Sequence, residues 1–485
     1  MNIETKKRSN NLNINLEELQ RQKEITLRIK HNNLMEEQKT GKKKRMHVIT
    51  FGCQQNNSDS EKIMGMLAEM GYARTDIKEQ ADVIIINTCC VRENAELKLY
   101  GNIGALKKLK EDNPSLIIGV CGCMMQQEHA VEMIRKKYRH VDIIFGTHNL
   151  YKLPELLERA INEKHTLIDI MNTEGMIIED IPVLREEKFK AWVTIMYGCN
   201  NFCSYCIVPH VRGRERSRKP EDIIREIESL AEDGCKEVTL LGQNVNSYGK
   251  DLNMEVDFAD IVRMVNEIKG IERIRFMTSH PKDISDKLIY TMRDCKKVCE
   301  QLHLPFQAGS NKILKRMNRK YTKEEYLNKI FKAKQEIPGV ALSTDVIVGF
   351  PGETDEDFEE TLDVLRRVEF DQVFMFIYSR RIGTSAAEME DTSSYEDKHR
   401  NFEKLVELQN GISKKLNDEY MDKIVEVLAE GSSKNDPSKY TGRTRTGKVV
   451  NFTGTDGIIG KLVNVKINEI HSWFLNGQMV DEVKK

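Results

Sequence analysis

Three cysteines, Cys53, Cys89 and Cys123, each sit at or just beyond the end of a short apolar run, at separations of 36 and 34 residues. That interval is about one strand–helix–strand unit, whose crossover makes its two strands parallel. The runs are 46–51, 82–86, 116–120 and 141–145, and the stretches 59–70, 93–109 and 126–137 between them have helical spacing and length. Apolar strands alternating with helices predict a parallel sheet covered on both faces, so residues 46–165 read as one α/β domain. Neighbouring strands of such a sheet end along one rim, where open α/β sheets bind ligands. One cysteine there is more often a buried small hydrophobe. Three at the same phase of successive units point to an iron–sulfur cluster.

A second alternating series follows a polar connection that contains Asn172, Gly175 and Pro182. Its strands are predicted at 191–197, 237–241, 273–278, 301–304, 341–348 and 372–378, with helices at 221–231, 258–268, 323–335 and 355–368. Six units are too few for an eight-unit barrel and predict a partial (β/α)6 barrel over 185–416, closed by a helix over 395–416. Beyond it, short β-like runs at 424–429, 440–444, 449–452, 462–467 and 472–475 are punctuated by glycines, predicting a small all-β barrel over 417–483. Residues 1–45 hold twelve Lys/Arg against six Asp/Glu without a sustained apolar period. They read as a disordered basic tail, with at most a transient helix over 16–29.

Composition narrows the function classes. With 75 Lys/Arg against 76 Asp/Glu the net charge is −1. A uniformly basic nucleic-acid coat is excluded, and contacts to nucleic acid must come from local patches. Eleven cysteines in 485 residues are too few for a disulfide scaffold. No window approaches the ~18 apolar residues of a membrane span, and the polar start of the chain predicts a cytoplasmic location.

Cys199, Cys203 and Cys206 form a C-x3-C-x2-C triplet directly after the strand predicted at 191–197. Three thiolates on one short loop can converge on a 4Fe–4S cube and leave one iron open. Zinc is the alternative, with His210 the nearest further ligand candidate. The run Met196-Tyr197-Gly198-Cys199-Asn200-Asn201-Phe202-Cys203-Ser204-Tyr205-Cys206 resembles the cluster loop of radical S-adenosylmethionine enzymes. In that family the open iron chelates the amino and carboxylate groups of the cofactor, and reduction splits the sulfonium to a 5′-deoxyadenosyl radical.

With the N-terminal cysteines and the small C-terminal barrel, residues 46–483 resemble the methylthiotransferases. The segments Leu241-Gly242-Gln243-Asn244-Val245-Asn246, Thr278-Ser279-His280-Pro281 and Gly349-Phe350-Pro351-Gly352-Glu353-Thr354 carry the match. The resemblance implies a radical SAM barrel, a C-terminal RNA-binding TRAM domain, S-adenosyl-L-methionine and two 4Fe–4S clusters. It assigns Cys199, Cys203 and Cys206 to the radical cluster and Cys53, Cys89 and Cys123 to an auxiliary one. Cys90 and Cys121 are the neighbours to be told apart from them; Cys235, Cys295 and Cys299 match no motif and read as structural.

Cofactor contacts are implied for Tyr205 near the adenine and for Gly242, Gln243 and Asn244 near the amino group. Gly349–Glu353 resembles the family's adenine segment, and Asp345 could meet the ribose or make a structural hydrogen bond. His280 and His303 stand at or near strand ends, where each could meet substrate. No acid–base catalyst is assigned. The implied reaction is methylthiolation of adenine carbon 2 in N6-isopentenyladenosine beside the tRNA anticodon. Threonylcarbamoyladenosine tRNA and a ribosomal-protein aspartate are the alternative substrates of the family. Expected partners are tRNA and an electron donor such as flavodoxin or ferredoxin, with the chain a monomer.

Two basic clusters follow strand ends and are candidates for phosphate contact: Arg212, Arg214, Arg216, Arg218 and Lys219, and Lys312, Lys315, Arg316, Arg319 and Lys320. The last domain adds Lys434, Lys439, Arg443, Arg445 and Lys448. Its Phe452 and Trp473 are candidates for base stacking or for core.

Overall fold

The computed structural model describes residues 3–90, 93–163, 165–171, 177–391, 393–434 and 436–480, and the side chains of these except 3–15, 93–95 and 97. Asn172 and Gly175 of the expected connection lie outside the described residues. The chain divides into two compact units, residues 1–186 with 207–214, and residues 187–206 with 215–485.

The first unit opens on helix α1 (Ile3–Thr40), which corrects the expectation of a disordered tail over 1–45. Gln22, Ile25, Ile29 and Asn33 recur at helical spacing and are all buried. Half of that stripe is polar, which hid it from a search for apolar periodicity. The Asn33 amide donates to the Met70 carbonyl at 2.9 Å, and Arg28 forms a fork with Glu158 at 2.9 Å on both arms.

Strands β1 (Arg45–Thr50), β2 (Ala73–Arg74), β3 (Val83–Thr88), β4 (Ile117–Gly122), β5 (Ile143–Phe145) and β6 (Leu167–Asp169) form one sheet in the order β2-β1-β3-β4-β5-β6. Every pairing in it is parallel. Helices α2 (Gln54–Glu69), α3 (Glu93–Asp112), α4 (Glu128–Lys137) and α5 (Leu153–Asn162) link the strands. Along β3, Val83 and Ile85 pack with α2 and α5 on one face, while Ile84 and Ile86 pack with α3 and α4 on the other. Burial on both faces explains the unbroken apolar runs. The short helix α6 (Val208–Arg212) also folds with this unit.

In the second unit, β7 (Lys190–Thr194), β10 (Glu237–Leu241) and β11 (Arg273–Phe276) make one parallel arc, with β10 central. A second arc runs β12 (Gln301–His303), β13 (Ala341–Val348), β14 (Gln372–Ile377), and the parallel bridge Ile274↔Val298 joins the two. The ribbon of β8 (Met196–Tyr197) and β9 (Arg216–Ser217) flanks the cysteine loop. Helices α7 (Pro220–Glu232), α8 (Phe258–Glu267), α9 (Asp286–Asp294), α10 (Asn311–Arg316), α11 (Lys323–Glu336) and α12 (Asp355–Val368) complete the expected partial barrel. Capping boxes at Thr322/Glu325 and Thr354/Asp357 start α11 and α12 by satisfying orphan N–H groups.

After α13 (Tyr395–Asp418), strands β15 (Ile424–Ser432), β16 (Tyr440–Thr444), β17 (Val449–Thr453), β18 (Leu462–Ile470) and β19 (Leu475–Val480) close a five-stranded barrel around Val427, Val450, Phe452 and Val465. It docks on the amino ends of the larger barrel's strands. Arg273, 1% exposed, donates to the backbone carbonyls of Glu426 and Arg443, and Arg275 to those of Thr444 and Arg445. Arg445 returns a fork to Glu300 at 2.8 Å on both arms.

Candidate metal centres and cofactor site

The sheet order of the first unit reverses direction at β1/β3, and α/β sheets bind ligands in the crevice at such a switch point. Cys53 follows β1 and Cys89 follows β3, so both stand at that crevice, with Cys123 one strand further at the end of β4. Glycine precedes two of the three, and both positions require it. Gly52 has φ +133° and a Cβ there would lie 2.4 Å from Cys89 Cβ; Gly122 has φ +101° and a Cβ would lie 2.2 Å from the Thr88 carbonyl oxygen.

Asn56, in the first turn of α2, ties the group together. Its Oδ1 accepts from Cys53 Sγ at 3.5 Å, from Cys123 Sγ at 3.9 Å and from Arg212 Nη2 at 3.2 Å. Its Nδ2 donates to Asn87 Oδ1 at 3.3 Å. The Cys53 thiol is pulled down to about 6 by a hydrogen bond from Cys89, helped by the Arg212 charge and the Asn56 and Gln55 N–H groups, against burial. Cys123 is lowered by a hydrogen bond from Cys90 and by Arg212. The two confusable neighbours behave oppositely. Cys90 is held well above the thiol range by its bond to Cys123 and by burial. Burial does the same to Cys121, which packs with Ile143 and Phe145 in the apolar core. Thiolates are the form that binds iron, so the donor chemistry at Cys53 and Cys123 fits a cluster. Among the described residues, no three His, Cys, Asp or Glu side chains converge closely enough to share one ion. A cube does not require that, since each of its thiolates binds a different iron.

In the second unit, Cys199, Cys203 and Cys206 lie on the loop between β8 and β9. Phe202 in that loop is left-handed at φ +47°. The end of α10 holds it: Ser204 N–H donates to the Met317 carbonyl at 3.0 Å, Ser204 Oγ to the Arg316 carbonyl at 2.9 Å, and Asn318 Nδ2 to the Phe202 carbonyl at 2.8 Å. Buried Arg319 brings Nη1 to 3.4 Å from Cys203 Sγ and 3.5 Å from the Tyr205 hydroxyl. Burial pushes the Cys199 thiol up to about 11.

Of the residues expected around the cofactor, Gly242, Gln243 and Asn244 follow the carboxyl end of β10, Tyr205 lies on the cysteine loop, and Asp345 lies within β13. Gly198 N–H donates to Gln243 Oε1 at 2.5 Å, tying the cysteine loop to the Gly242-Gln243-Asn244 turn after β10. Asn244 Nδ2 donates to Asp283 at 2.8 Å. Among the described residues, Asn244 Oδ1, both amide atoms of Asn246, Ser279 Oγ and His280 Nε2 are buried without a hydrogen-bond partner. Thr278, beside them, holds a strained φ of +69°. Orphaned polar atoms concentrated at one strand-end crevice fit a polar ligand. Burial and the Arg319 charge press His280 down to about 2, so its imidazole is neutral. Asp345 faces the barrel interior with His303 Nε2 3.6 Å from its Oδ1. Glu353, raised to about 7 by burial, accepts from Gly349 N–H.

The basic clusters divide. Arg214, Lys219, Lys315 and Lys320 are exposed, as phosphate contact requires. Arg212, Arg218 and Arg319 are buried instead, Arg218 on Glu226 and the Thr194 carbonyl. In the small barrel, Arg445 is spent on Glu300 and Lys448 pairs with Asp371 at 2.9 Å. Phe452 is core, whereas Trp473 is 56% exposed. The sequence signal for Arg212 and Arg319 was their charge; only the fold sets them on thiols.

A cysteine loop after the first strand of a partial parallel barrel defines a radical S-adenosylmethionine enzyme, and residues 193–365 match the model of the Radical SAM superfamily. Residues 45–146 match Uncharacterized protein family UPF0004 and residues 419–480 the TRAM domain. The chain belongs to the family of tRNA-2-methylthio-N(6)-dimethylallyladenosine synthases. The protein of that name from Acetivibrio thermocellus is 59% identical over 97% of this chain and 98% of its own length. The one from Clostridioides difficile is 57% identical over 96% and 98%. Among solved structures, the radical S-adenosylmethionine methyltransferase TsrM from Kitasatospora setae superposes at TM-score 0.52 with 12% identity, over 71% of this chain and 74% of that one, and shares the fold. Membership brings a 4Fe–4S cluster and S-adenosylmethionine. No described helix is long and apolar enough to cross a membrane.

Proposed function

We propose that this chain installs a methylthio group on carbon 2 of N6-isopentenyladenosine beside the tRNA anticodon. It does so with two 4Fe–4S clusters, one on Cys199, Cys203 and Cys206 and one on Cys53, Cys89 and Cys123. The observation that carries the reading is the second gathering of thiols, at the switch point of the first sheet, in a chain whose barrel already holds a three-cysteine loop. When bound, the barrel cluster and S-adenosylmethionine supply a carbon-centred radical, able to act on an aromatic C–H bond that acid–base groups cannot activate.

The chain's own residues bind, orient and shield. The Gly198–Gln243 hydrogen bond fixes the cysteine loop against the turn that receives the cofactor amino group. Tyr205, Gly242, Gln243, Asn244 and Asp345 line the cofactor's place, and the unpaired atoms of Asn246, Ser279 and His280 offer fixed dipoles to a polar ligand. Neutral His280 accepts from Lys282 N–H at Nδ1, which leaves Nε2–H as a donor. Exposed Arg214, Lys219, Lys315, Lys320 and Trp473 are the groups suited to phosphate and base contact. We further assign the chain to the cytoplasm, as a monomer that takes electrons from a donor such as flavodoxin or ferredoxin.

Nucleoside mass spectrometry on tRNA from cells lacking the gene tests the reading. The expected result is loss of 2-methylthio-N6-isopentenyladenosine with accumulation of its unmethylthiolated precursor. An unchanged profile, with methylthio loss on threonylcarbamoyladenosine or on a ribosomal-protein aspartate instead, would overturn the substrate.

A further inference from the structure

Arg212 lies six residues past Cys206, yet it folds with the first unit and is 4% exposed. Its Nε donates to Cys123 Sγ at 3.0 Å, and its Nη2 reaches Asn56 Oδ1 at 3.2 Å and Asp59 Oδ2 at 2.8 Å. A buried guanidinium whose only task is to neutralise a carboxylate turns its two-pronged face to that carboxylate. Here Nε is turned to sulfur. Three thiolates around a 4Fe–4S core in its 2+ state leave a net charge of about −1, and Asp59 adds another. Arg212 meets this charge at contact distance.

We propose that Arg212 is a positioning residue of the N-terminal cluster site, holding the Cys123 sulfur by a charged hydrogen bond and setting the reduction potential of the cluster. The inference rests on the assignment of a cluster to Cys53, Cys89 and Cys123 made above. Hydrogen bonds to cluster sulfurs and neighbouring positive charge withdraw electron density and raise the potential; a neighbouring carboxylate does the reverse. Arg212 and Asp59 therefore pull in opposite directions on one group.

The test uses the full chain with C199A, C203A and C206A, which leaves only the N-terminal site, reconstituted anaerobically with iron and sulfide. Binding of about four irons per chain supports the cluster assignment, and binding of none overturns that assignment before Arg212 is tested. In this background, potentiometric titration followed by EPR is expected to show R212Q shifted to a more negative potential, R212K between R212Q and the parent, and D59N shifted to a more positive one. Potentials that coincide with the parent in loaded R212Q, R212K and D59N would overturn the proposal, since a purely structural arginine changes stability without moving the couple. If R212Q fails to load, R212K and D59N decide. R212K lying negative of the parent with D59N positive of it supports the inference, and R212K at or positive of the parent's potential overturns it.

Discussion

The two cysteine triads are built by opposite strategies. In the barrel, Cys199, Cys203 and Cys206 share one loop, so their spacing along the chain keeps them near one another. In the first unit, Cys53, Cys89 and Cys123 hang on three different strand ends and meet only because the sheet is parallel and in register. Their chemistry differs accordingly. The sheet-built site already favours thiolate, with Cys53 near 6, whereas burial drives Cys199 in the loop up to about 11. One buried arginine touches sulfur in each, Arg212 at Cys123 and Arg319 at Cys203. Cys199 thus has to give up a tightly held proton before it can ligate, while Cys53 and Cys123 are already drawn toward thiolate by the groups around them.

The largest expected effect separates the triads by function. Cys203→Ala abolishes reductive cleavage of S-adenosylmethionine, read as 5′-deoxyadenosine, whereas Cys123→Ala retains cleavage and loses the methylthiolated nucleoside. Equal loss of cleavage in both variants would collapse the distinction. Next comes thiol reactivity in the metal-free protein. With acid groups near 6 and 11, the thiolate fractions of Cys53 and Cys199 at pH 7.5 differ by on the order of a thousandfold. Mass-spectrometric alkylation should find Cys53 labelled first. Its labelling falls as pH drops through about 6, because a thiol with a lowered pKa is anionic above that pH and protonated below it.

A smaller effect probes the rim itself. Gly122→Ala forces a left-handed alanine against the Thr88 carbonyl and is expected to destabilise the protein by at least about 2 kcal/mol, with reduced iron at the N-terminal site. Thermal melts and iron analysis check this; unchanged loading would show that the rim relaxes freely. The smallest concerns the loop. Tyr321→Phe removes the hydroxyl that takes a hydrogen bond from Arg319 at 2.9 Å and passes one to the Phe306 carbonyl, costing about 1 kcal/mol while leaving Arg319 on Cys203.

The contrast also explains what could be read in advance. The C-x3-C-x2-C loop, the strands of the partial barrel and the glycine-punctuated small barrel were legible because each depends on local order, periodicity or turn chemistry. Helix α1 was not, because its buried stripe alternates Ile25 and Ile29 with Gln22 and Asn33, whose burial is compensated by partners such as Met70 and Glu155 from elsewhere in the first unit. Arg212, Arg218, Arg319 and Arg445 read as candidate phosphate contacts because charge in a sequence carries no direction; packing turned them onto thiols, carboxylates and carbonyls.

By itself, then, the sequence determined which cysteines are candidates for holding iron, the strand–helix rhythm that makes the sheets parallel, and through its motifs the family. The tertiary structure alone decided that Asn56 and Arg212 join Cys53 and Cys123, that Cys121 belongs to the core, and that Arg273, Arg275 and Arg445 lock the small barrel to the large one. Ligand identity and periodicity are properties of neighbours along the chain. The electrostatic setting of a buried thiol is summed over groups far apart in sequence, and only folding brings those groups within hydrogen-bond distance.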